Sequence, residues 1–355
     1  MARATALAHF RRMVSPIASW LSVRAQGLYC EPADLFIDPV RPVPRAAITH
    51  AHADHARPGH QAVLATAETL AITRVRLGAS AGAGQQALAY ATPLSLGPVT
   101  LTLFPAGHVL GSAQILLQYQ GSRALVSGDY KRQPDPTCAS FQPVPADVFI
   151  TEATFGLPVF RHPPAEAEIV RLLASLALFP GRAHLIGCYS LGKCQRLIAL
   201  LREAGYDAPI YLHGAHASLC ALYESLGVGL GDLRPATGAK IPPGAIVLAP
   251  PSALADRWSR RLPDPLPCLA SGWMRVRARA RQSGAELPLI ISDHADWDAL
   301  LATIAEIDAP EVWVTHGRED ALIHAITTSG RAARALRLIG YEDDAEDTAP
   351  ELPAP

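Results

Sequence analysis

The sequence has little lysine and little net charge of either sign. Lysine makes up only three of its 31 basic residues, and the formal net charge is −1. A chain this close to neutrality has no global basic field of the kind that attracts polyanions, although a local patch can still bind one. The preference for arginine suits phosphate recognition. In a chain that is also rich in alanine, glycine and proline, we interpret it as compositional bias.

Paired cysteines and long apolar segments are also missing. The six cysteines form no C-x-x-C pair and no disulfide-dense pattern, which is typical of reduced, mostly buried thiols in a cytoplasm. No apolar run approaches the length that spans a membrane, and the N-terminal segment lacks the apolar core and cleavage site of a signal peptide. We therefore expect a cytoplasmic protein with no membrane partner. Residues 1–24 are predicted to be a disordered or loosely docked extension, and residues 341–355 an acidic, proline-rich tail.

The sequence pattern changes twice along the rest of the chain. Residues 25–162 contain short β-rich runs, such as VTLTLF and AQILLQY, with one helical segment near TAETLAITRVRLG. Residues 163–287 alternate helical stretches with short apolar strands, the pattern of a parallel α/β unit. In residues 288–340 the first pattern returns, with the strand LPLIIS, a helix, the strand EVWVTH and a final helix over EDALIHAITTSGRAARAL. We predict an α/β fold in which one domain is interrupted by an inserted parallel α/β domain.

Four potential metal ligands follow the apolar run AAIT within six residues. They are His50, His52, Asp54 and His55. In extended backbone, side chains two residues apart point the same way, so His50 and His52 can reach one ion. Asp54 and His55 lie on the turn that follows and can serve a second ion. Imidazole and carboxylate groups suit zinc, or manganese or iron where the site is richer in oxygen.

Three later strand ends carry the same kinds of residue. His108 follows LTLFPAG, Asp129 follows RALVSG, and His316 follows EVWVT. We divide the seven ligands between two divalent ions, zinc with manganese as the alternative. The first ion is held by His50, His52 and His108, the second by Asp54, His55 and His316, and Asp129 bridges the two. This division leaves each ion an open position for water, as a catalytic site needs.

These motifs resemble the metallo-β-lactamase superfamily, in which H-x-H-x-D-H is followed by single His, Asp and His residues at strand ends. The resemblance covers roughly residues 27–335 and implies an αββα sandwich. Between Asp129 and His316 lie 186 residues, which leaves room for the insert. Glu152 in EATF and His294 in SDHAD match the acidic residue and the histidine that complete the site in the β-CASP subgroup of nucleases.

The motifs along the whole chain are similar to those of bacterial ligase-associated DNA exonucleases. The segments that carry this resemblance include THAHADHARPGH, SGDYK, EATFGLP, SGWMRVR, SDHADW and VWVTHGRED. It implies a DNA exonuclease that works in repair with an ATP-dependent DNA ligase. His316 favours the alternative of an RNA-processing β-CASP ribonuclease, because DNA-type eukaryotic members typically carry valine there. Further alternatives are a small-molecule metallo-hydrolase, which leaves the insert without a task, and a non-catalytic, metal-stabilised interaction module.

The chemistry assigns roles to the side chains around the ions. Water activated by the two ions is expected to attack the phosphodiester phosphorus in line. We count Asp54, Glu152 and His294 as catalytic, with His294 as the general acid for the leaving oxygen and Glu152 as its orienting partner. The alternative is that Glu152 and His294 only support the metal ligands. For Asp34 and Asp38 we predict such a supporting role beside the first ligand cluster.

Candidate substrate-binding residues lie in the insert. Ser271 and Gly272 resemble the phosphate-gripping loop of the β-CASP subgroup, and Lys193 lies in YSLGKCQR, which resembles its helix-start segment. Arg275 and Arg277 begin a run of alternating arginines that suits phosphate contact beside an aromatic residue. In extended backbone the arginine side chains of this run lie on one face, whereas in a helix they spread around the helix axis. An exposed charged face without function is the alternative.

One segment of the insert suggests a rival function. GCYSLGKC, residues 187–194, is close to the phosphate-binding P-loop G-x-x-x-x-G-K-[ST]. Cysteine replaces the hydroxyl residue that holds magnesium, so we disfavour nucleotide hydrolysis. His60, His213 and His216 have no assigned role, and we expect them to lie in the core or on the surface.

Overall fold

The computed structural model describes residues 16–238 and 240–338. Within them the chain forms three β-sheets with flanking helices, which confirms the predicted α/β class. The strands of the first sheet lie in the same order in space as in the sequence: β1 (Leu21–Arg24), β2 (Gly27–Cys30), β3 (Leu35–Ile37), β4 (Arg45–Ala47), β5 (Ala62–Ala65) and β6 (Gly84–Ala87). Helix α1 (Ala67–Leu77) connects β5 to β6. It begins after Thr66, whose side chain accepts a hydrogen bond from the Thr69 amide.

The N-terminal segment is more ordered than its sequence predicts. Ile17, Trp20 and Leu21 are buried, and β1 pairs with β2 in an antiparallel hairpin. The structure therefore differs from the predicted extension over residues 16–24, because these apolar side chains pack into the core. Residues 1–15 and the predicted tail, residues 341–355, lie outside the described residues.

The second sheet begins with five strands that bring several chain segments to one edge. They are β7 (Leu94–Leu96), β8 (Val99–Pro105), β9 (Ala113–Tyr119), β10 (Ser122–Val126) and β11 (Val148–Ala153). β8 and β10 both run antiparallel to β9, and β11 runs parallel to β10. Strands β8, β10 and β11 therefore end at the same edge, and the residues that follow them lie close together.

The third sheet and its helices come from one continuous stretch of chain. In chain order they are α2 (Ala165–Leu178), β12 (His184–Gly187), α3 (Lys193–Glu203), β13 (Ile210–Leu212), α4 (Gly214–Ser225), β14 (Leu233–Pro235), β15 (Ile246–Ala249), β16 (Leu266–Ala270), α5 (Arg277–Gln282) and β17 (Leu287–Leu289). All neighbouring strands run parallel, in the order β14-β13-β15-β12-β16-β17. The sequence pattern assigned the LPLIIS strand to the returning domain, but β17 pairs with β16 and so completes this third sheet.

After the third sheet the chain returns to the second. Helix α6 (Trp297–Ile307) precedes β18 (Glu311–Gly317), which runs parallel to β11, and helix α7 (Glu319–Thr328) precedes β19 (Ala332–Ala335), which runs parallel to β18. The predicted final helix is wrong beyond residue 328. Gly330, with a φ of +89°, follows the helix end, and the next residues pair with β18 instead. The end of β18 joins the edge formed by β8, β10 and β11.

Two apolar clusters determine how the sheets pack. One cluster joins the first two sheets and includes Leu28 from the first and Leu101, Ile115 and Trp313 from the second. The other contains the core of the third sheet together with Ala51, which lies between two predicted metal ligands. Burial of these side chains therefore holds the loop after β4 against the third sheet. None of the described helices is long and apolar enough to cross a membrane.

Candidate metal centre

The seven predicted ligands follow or end four strands of the first two sheets. β4 leads into the loop with four of them, and β8, β10 and β18 supply one each. A hydrogen bond of 2.8 Å from the Ala113 amide to the Thr49 carbonyl fixes the β4 loop to the start of β9. Gly128 has a φ of +56°, and a Cβ there would lie 2.7 Å from the Thr49 side chain. Only glycine therefore lets the end of β10 approach this loop. The His/Asp centre, as we call it, consists of His50, His52, Asp54, His55, His108, Asp129 and His316.

Four of the histidines have one ring nitrogen facing a protein oxygen. The oxygens are Thr49 Oγ1 at 3.1 Å from His50 Nδ1, Leu191 O at 3.3 Å from His52 Nε2, Asp38 Oδ2 at 2.8 Å from His55 Nδ1, and Asp293 O at 2.7 Å from His108 Nδ1. The other ring nitrogen of each histidine faces the other ligands of the centre. Oxygens in this position orient metal-binding imidazoles and determine which nitrogen coordinates.

The facing atoms of His50, His52, His108 and Asp129 form a compact group. His52 Nδ1 lies 3.1 Å from His50 Nε2 and 2.9 Å from His108 Nε2. Asp129 Oδ2 lies 3.4 Å from His50 Nε2 and 3.8 Å from His108 Nε2. Zinc–nitrogen bonds of about 2.0–2.1 Å place the corners of a coordination tetrahedron roughly 3.3–3.4 Å apart. These four side chains therefore fit one ion of that size.

A second group shares Asp129 with the first. His55 Nε2 lies 3.2 Å from Asp54 Oδ2 and 3.4 Å from Asp129 Oδ2. The ring centroid of His316 lies 5.4 Å from that of His55. His316 has a φ of +55°, a conformation that is uncommon and strained for residues other than glycine. Because the Asp129 carboxylate faces both groups, it lies where a bridging ligand is expected.

Burial and the neighbouring carboxylates set the protonation of these histidines. Desolvation lowers the pKa of His50 and of His316 to about 4, and the charge of His55 acts in the same direction. Burial alone would also lower the pKa of His55, but the three carboxylates around it outweigh burial and hold this pKa well above its ordinary value. Neutral imidazoles are the form that coordinates metals. A group of carboxylates that attracts a proton to His55 also attracts a metal cation.

Glu152 and His294 lie beside the centre and contact each other. Glu152 is almost fully buried in β11, and its Oε2 lies 2.9 Å from His294 Nδ1. The same carboxylate accepts hydrogen bonds from the Tyr130 amide at 2.7 Å and the Thr154 hydroxyl at 2.5 Å. The ring centroid of His294 lies 4.7 Å from that of His108, and 10% of the His294 side chain is exposed. His294 thus reaches both the first ligand group and solvent.

The two predicted supporting aspartates lie at opposite ends of β3. Asp38 follows β3, accepts hydrogen bonds from the amide and hydroxyl of Thr49, and faces His55, which confirms its predicted position beside the ligands. Asp34 precedes β3 and accepts a hydrogen bond of 2.8 Å from the Tyr29 hydroxyl. The prediction for Asp34 is wrong, because the strand separates it from the ligand loop.

Sequence reasoning missed two supporting residues that adjoin predicted ones. Thr49 precedes His50 and links it to Asp38. Asp293 precedes His294, holds His108 through its backbone carbonyl, and directs its carboxylate to Lys193 Nζ at 3.3 Å. Their adjacency to predicted site residues was the one signal in the sequence.

The predicted substrate-binding residues lie in different environments. Ser271 and Gly272 follow β16, and a Cβ on Gly272 would lie 2.5 Å from the Phe155 ring. The Phe155 ring centroid lies 6.2 Å from that of His294, so this loop is near the centre. Lys193 is buried and ion-paired, so its ammonium group does not face solvent.

The arginine run is helical from residue 277. Arg275 and Arg277 are exposed, and α5 spreads the alternating arginines around its axis, so they do not share one face. The Arg279 guanidinium carbon lies 4.0 Å from the Trp273 ring centroid, a cation–π contact. Phosphate contact by Arg275 and Arg277 stays a prediction.

Relatives of this chain include proteins named for ligase and nuclease activities. A stretch of 318 residues, 88% of this chain, is 29% identical to a "Probable DNA ligase" from Opitutus terrae. A stretch of 154 residues is 32% identical to the "Endoribonuclease ysh-1" of Neurospora crassa, and 144 residues are 31% identical to the "Cleavage and polyadenylation specificity factor 73" of Drosophila melanogaster; they cover 41% and 38% of this chain. The chain spans only 30%, 18% and 21% of the lengths of these three relatives.

A similar fold occurs in the crystal structure of a protein of unknown function from Enterococcus faecalis V583. The TM-score is 0.52 at 16% sequence identity, over 82% of this chain and 79% of that one. No family model matches this chain. The relative named as an endoribonuclease and the buried His/Asp centre together support the resemblance of this chain to the metallo-β-lactamase superfamily.

Proposed function

We propose that this chain is a metal-dependent phosphodiesterase that cuts nucleic acid, with two divalent ions in the His/Asp centre. One observation carries the proposal. Four histidines each face a protein oxygen with one ring nitrogen and direct their second ring nitrogen toward ligands grouped around Asp129. This donor set suits zinc, with manganese as the alternative. When bound, such ions lower the pKa of water and neutralise charge that develops on phosphoryl oxygens.

The neighbouring side chains supply the proton and the orientation that phosphodiester hydrolysis needs. His294 acts as the general acid that donates a proton to the leaving oxygen. Glu152, itself held by the Tyr130 amide and the Thr154 hydroxyl, orients the imidazole through Nδ1. Asp54, the more exposed carboxylate of the centre, orients the attacking water.

We further propose that the first two sheets form the metallo-β-lactamase sandwich and the third sheet the inserted β-CASP domain. One apolar cluster joins the first two sheets and another contains the core of the third sheet, which supports this division. Ser271 and Gly272 would grip a substrate phosphate beside His294, and Arg275 and Arg277 would contact the strand beyond it. Lys193 would act indirectly through its ion pair. The unpaired cysteines support a cytoplasmic location.

DNA is the proposed substrate, in exonuclease mode and in partnership with a DNA ligase. Similarity over 88% of the chain to a relative named as a DNA ligase supports this choice. The second candidate is an RNA-processing ribonuclease, which the endoribonuclease-named relatives and the presence of His316 favour.

A single assay separates these candidates. Purified protein is incubated with Mn²⁺ or Zn²⁺ and end-labelled single-stranded DNA, duplex DNA or RNA of the same sequence. We expect mononucleotide release from DNA that is lost in His52→Ala and retained in His324→Ala, which alters an exposed histidine outside the centre. Preferential cleavage of RNA would favour the second candidate, and internal fragments would contradict the exonuclease mode. Failure to cut any polynucleotide would overturn both.

A further inference from the structure

A second cluster of metal-binding side chains lies in the core of the third sheet. Cys188 follows β12, Cys194 lies in the first turn of α3, and His216 and Cys220 lie on α4. All four residues are at most 1% exposed. We call them the thiol cluster. Its two α4 members are four residues apart and so share one face of the helix.

The distances within the thiol cluster are those of a coordination site. The ligand atoms of Cys188, Cys194 and His216 all lie within 4.8 Å of one another. Cys188 Sγ lies 3.8 Å from His216 Nε2, and Cys194 Sγ lies 3.9 Å from Cys220 Sγ. Zinc–sulfur bonds of about 2.3 Å place two tetrahedral sulfur ligands roughly 3.8 Å apart. The separations among Cys188, Cys194 and His216 therefore need little adjustment, and Cys220 lies beside Cys194 outside this group of three.

His216 is oriented as a metal ligand would be. Its Nδ1 lies 2.8 Å from Ser190 Oγ, so its Nε2 faces the sulfur atoms. A protein oxygen on one ring nitrogen and ligands on the other is the same arrangement that the histidines of the His/Asp centre show. Both ring nitrogens of this buried histidine have partners, Ser190 Oγ and Cys188 Sγ, and the second partner is an atom that binds metals.

We propose that Cys188, Cys194 and His216 bind a zinc-type ion, with Cys220 as the fourth ligand, in a closed structural site separate from the His/Asp centre. The ion displaces the thiol protons to solvent and links β12, α3 and α4. Soft sulfur ligands select zinc over the harder ions that a nitrogen and oxygen site also accepts. The proposal also explains why the P-loop-like segment 187–194 carries cysteine at two positions.

Cobalt substitution tests this site without recourse to activity. The full chain is stripped of metal under reducing, anaerobic conditions and titrated with Co²⁺. We expect thiolate-to-cobalt charge-transfer absorption in the near ultraviolet, which the nitrogen and oxygen ligands of the His/Asp centre do not produce. The absorption should persist in His52→Ala and in the control Cys268→Ser, and it should be lost in Cys188→Ser and His216→Asn. Bound metal should fall by one ion per chain in the latter two.

Two results would overturn the proposal. One is the absence of charge-transfer absorption in the wild-type chain, which no misfolded variant can obscure. The other is a disulfide between cluster cysteines, seen as two fewer free thiols in the denatured, metal-free protein. The cobalt spectrum does not depend on nuclease activity. A negative nuclease assay would therefore contradict the proposed function without contradicting the metal site in the thiol cluster.

Discussion

The His/Asp centre and the thiol cluster differ in ligand chemistry and in access to solvent. The first offers nitrogen and oxygen donors at strand ends, where the side chain of Asp54 is 22% exposed and that of His294 is 10% exposed. The second offers sulfur donors and one histidine inside an apolar core, with at most 1% exposure. Open sites can exchange water and substrate, whereas closed sites stabilise structure. Under the two proposals, one chain separates hydrolysis from structural metal binding by ligand type and by access to solvent.

The largest expected effect comes from removing the shared carboxylate of the His/Asp centre. Asp129→Ala should lower nuclease activity by about 10³-fold or more, because the metal's contribution to transition-state stabilisation is several kcal/mol. The cobalt–thiolate absorption should stay unchanged. Asp298→Ala, which removes an exposed carboxylate paired with Arg161, is the matched control. Activity within tenfold of wild type in Asp129→Ala would contradict the assignment.

Removing the proposed general acid should have the next largest effect. His294→Asn should reduce kcat by about 10²–10⁴-fold while leaving the metal content unchanged, because a positioned acid contributes that much to proton transfer. Glu152→Gln should reduce kcat less and alter the pH profile, since it acts through His294. A loss of bound metal in either variant would support the alternative that both residues only hold the ligands in place.

Asp293 contacts the His/Asp centre through its backbone carbonyl and two cations of the third-sheet region through its carboxylate. Its carboxylate pairs with Lys193 and Arg196, and its carbonyl holds His108. Asp293→Asn should lower the free energy of unfolding by about 3 kcal/mol at pH 7, because it leaves buried cations without this partner. Urea unfolding measures this difference, with Asp298→Asn as an exposed control.

The contribution of Asp293 should depend on pH. Burial raises its pKa, but Lys193, Lys131 and Arg196 outweigh burial and hold the pKa below its ordinary value. A carboxylate whose pKa is depressed in the folded state stabilises the fold above the unfolded value of about 3.9, and this stabilisation is lost at lower pH. The gap between wild type and Asp293→Asn should therefore narrow as the pH falls toward 4 and below. A gap that widens with acidification would contradict the ion pairs.

The smallest expected effect concerns the exposed arginines of the third-sheet region. Replacing Arg275 and Arg277 by alanine should weaken DNA binding several-fold and reduce the slope of log affinity against log salt by roughly one for each phosphate that is no longer neutralised. Fluorescence anisotropy at several salt concentrations measures both. Arg171→Ala, which alters an exposed arginine paired with Glu168, should change neither. An unchanged slope in the double variant would favour a charged face without function.

The His/Asp centre could be predicted because its ligands have local sequence signals. His50 and His52 follow an apolar run directly, and the ends of parallel-running strands meet at one edge. Supporting contacts were harder to predict, since Asp34 and Asp38 look alike in sequence but lie at opposite ends of β3. The paired spacings of the thiol cluster, C-x5-C and H-x3-C, lie on separate elements that only the packing of the third sheet brings together.

Elements at sheet edges were the least predictable part of the fold. The LPLIIS strand reads like those of the first two sheets, but its partner is β16. The segment RAARA has helical composition, yet Gly330 separates it from α7 and it pairs with β18. In both cases the pairing partner, which is distant in sequence, decides the structure.

Anomalous diffraction at the zinc absorption edge, from crystals grown with zinc, tests the two-ion centre most directly. We predict two peaks in the His/Asp centre, one among His50, His52, His108 and Asp129 and the other among Asp54, His55, His316 and the same Asp129. A third peak at Cys188, Cys194 and His216 would belong to the thiol cluster and serves as an internal comparison. A map with no peak at the His/Asp centre, or with only one that Asp129 does not contact, would contradict the account.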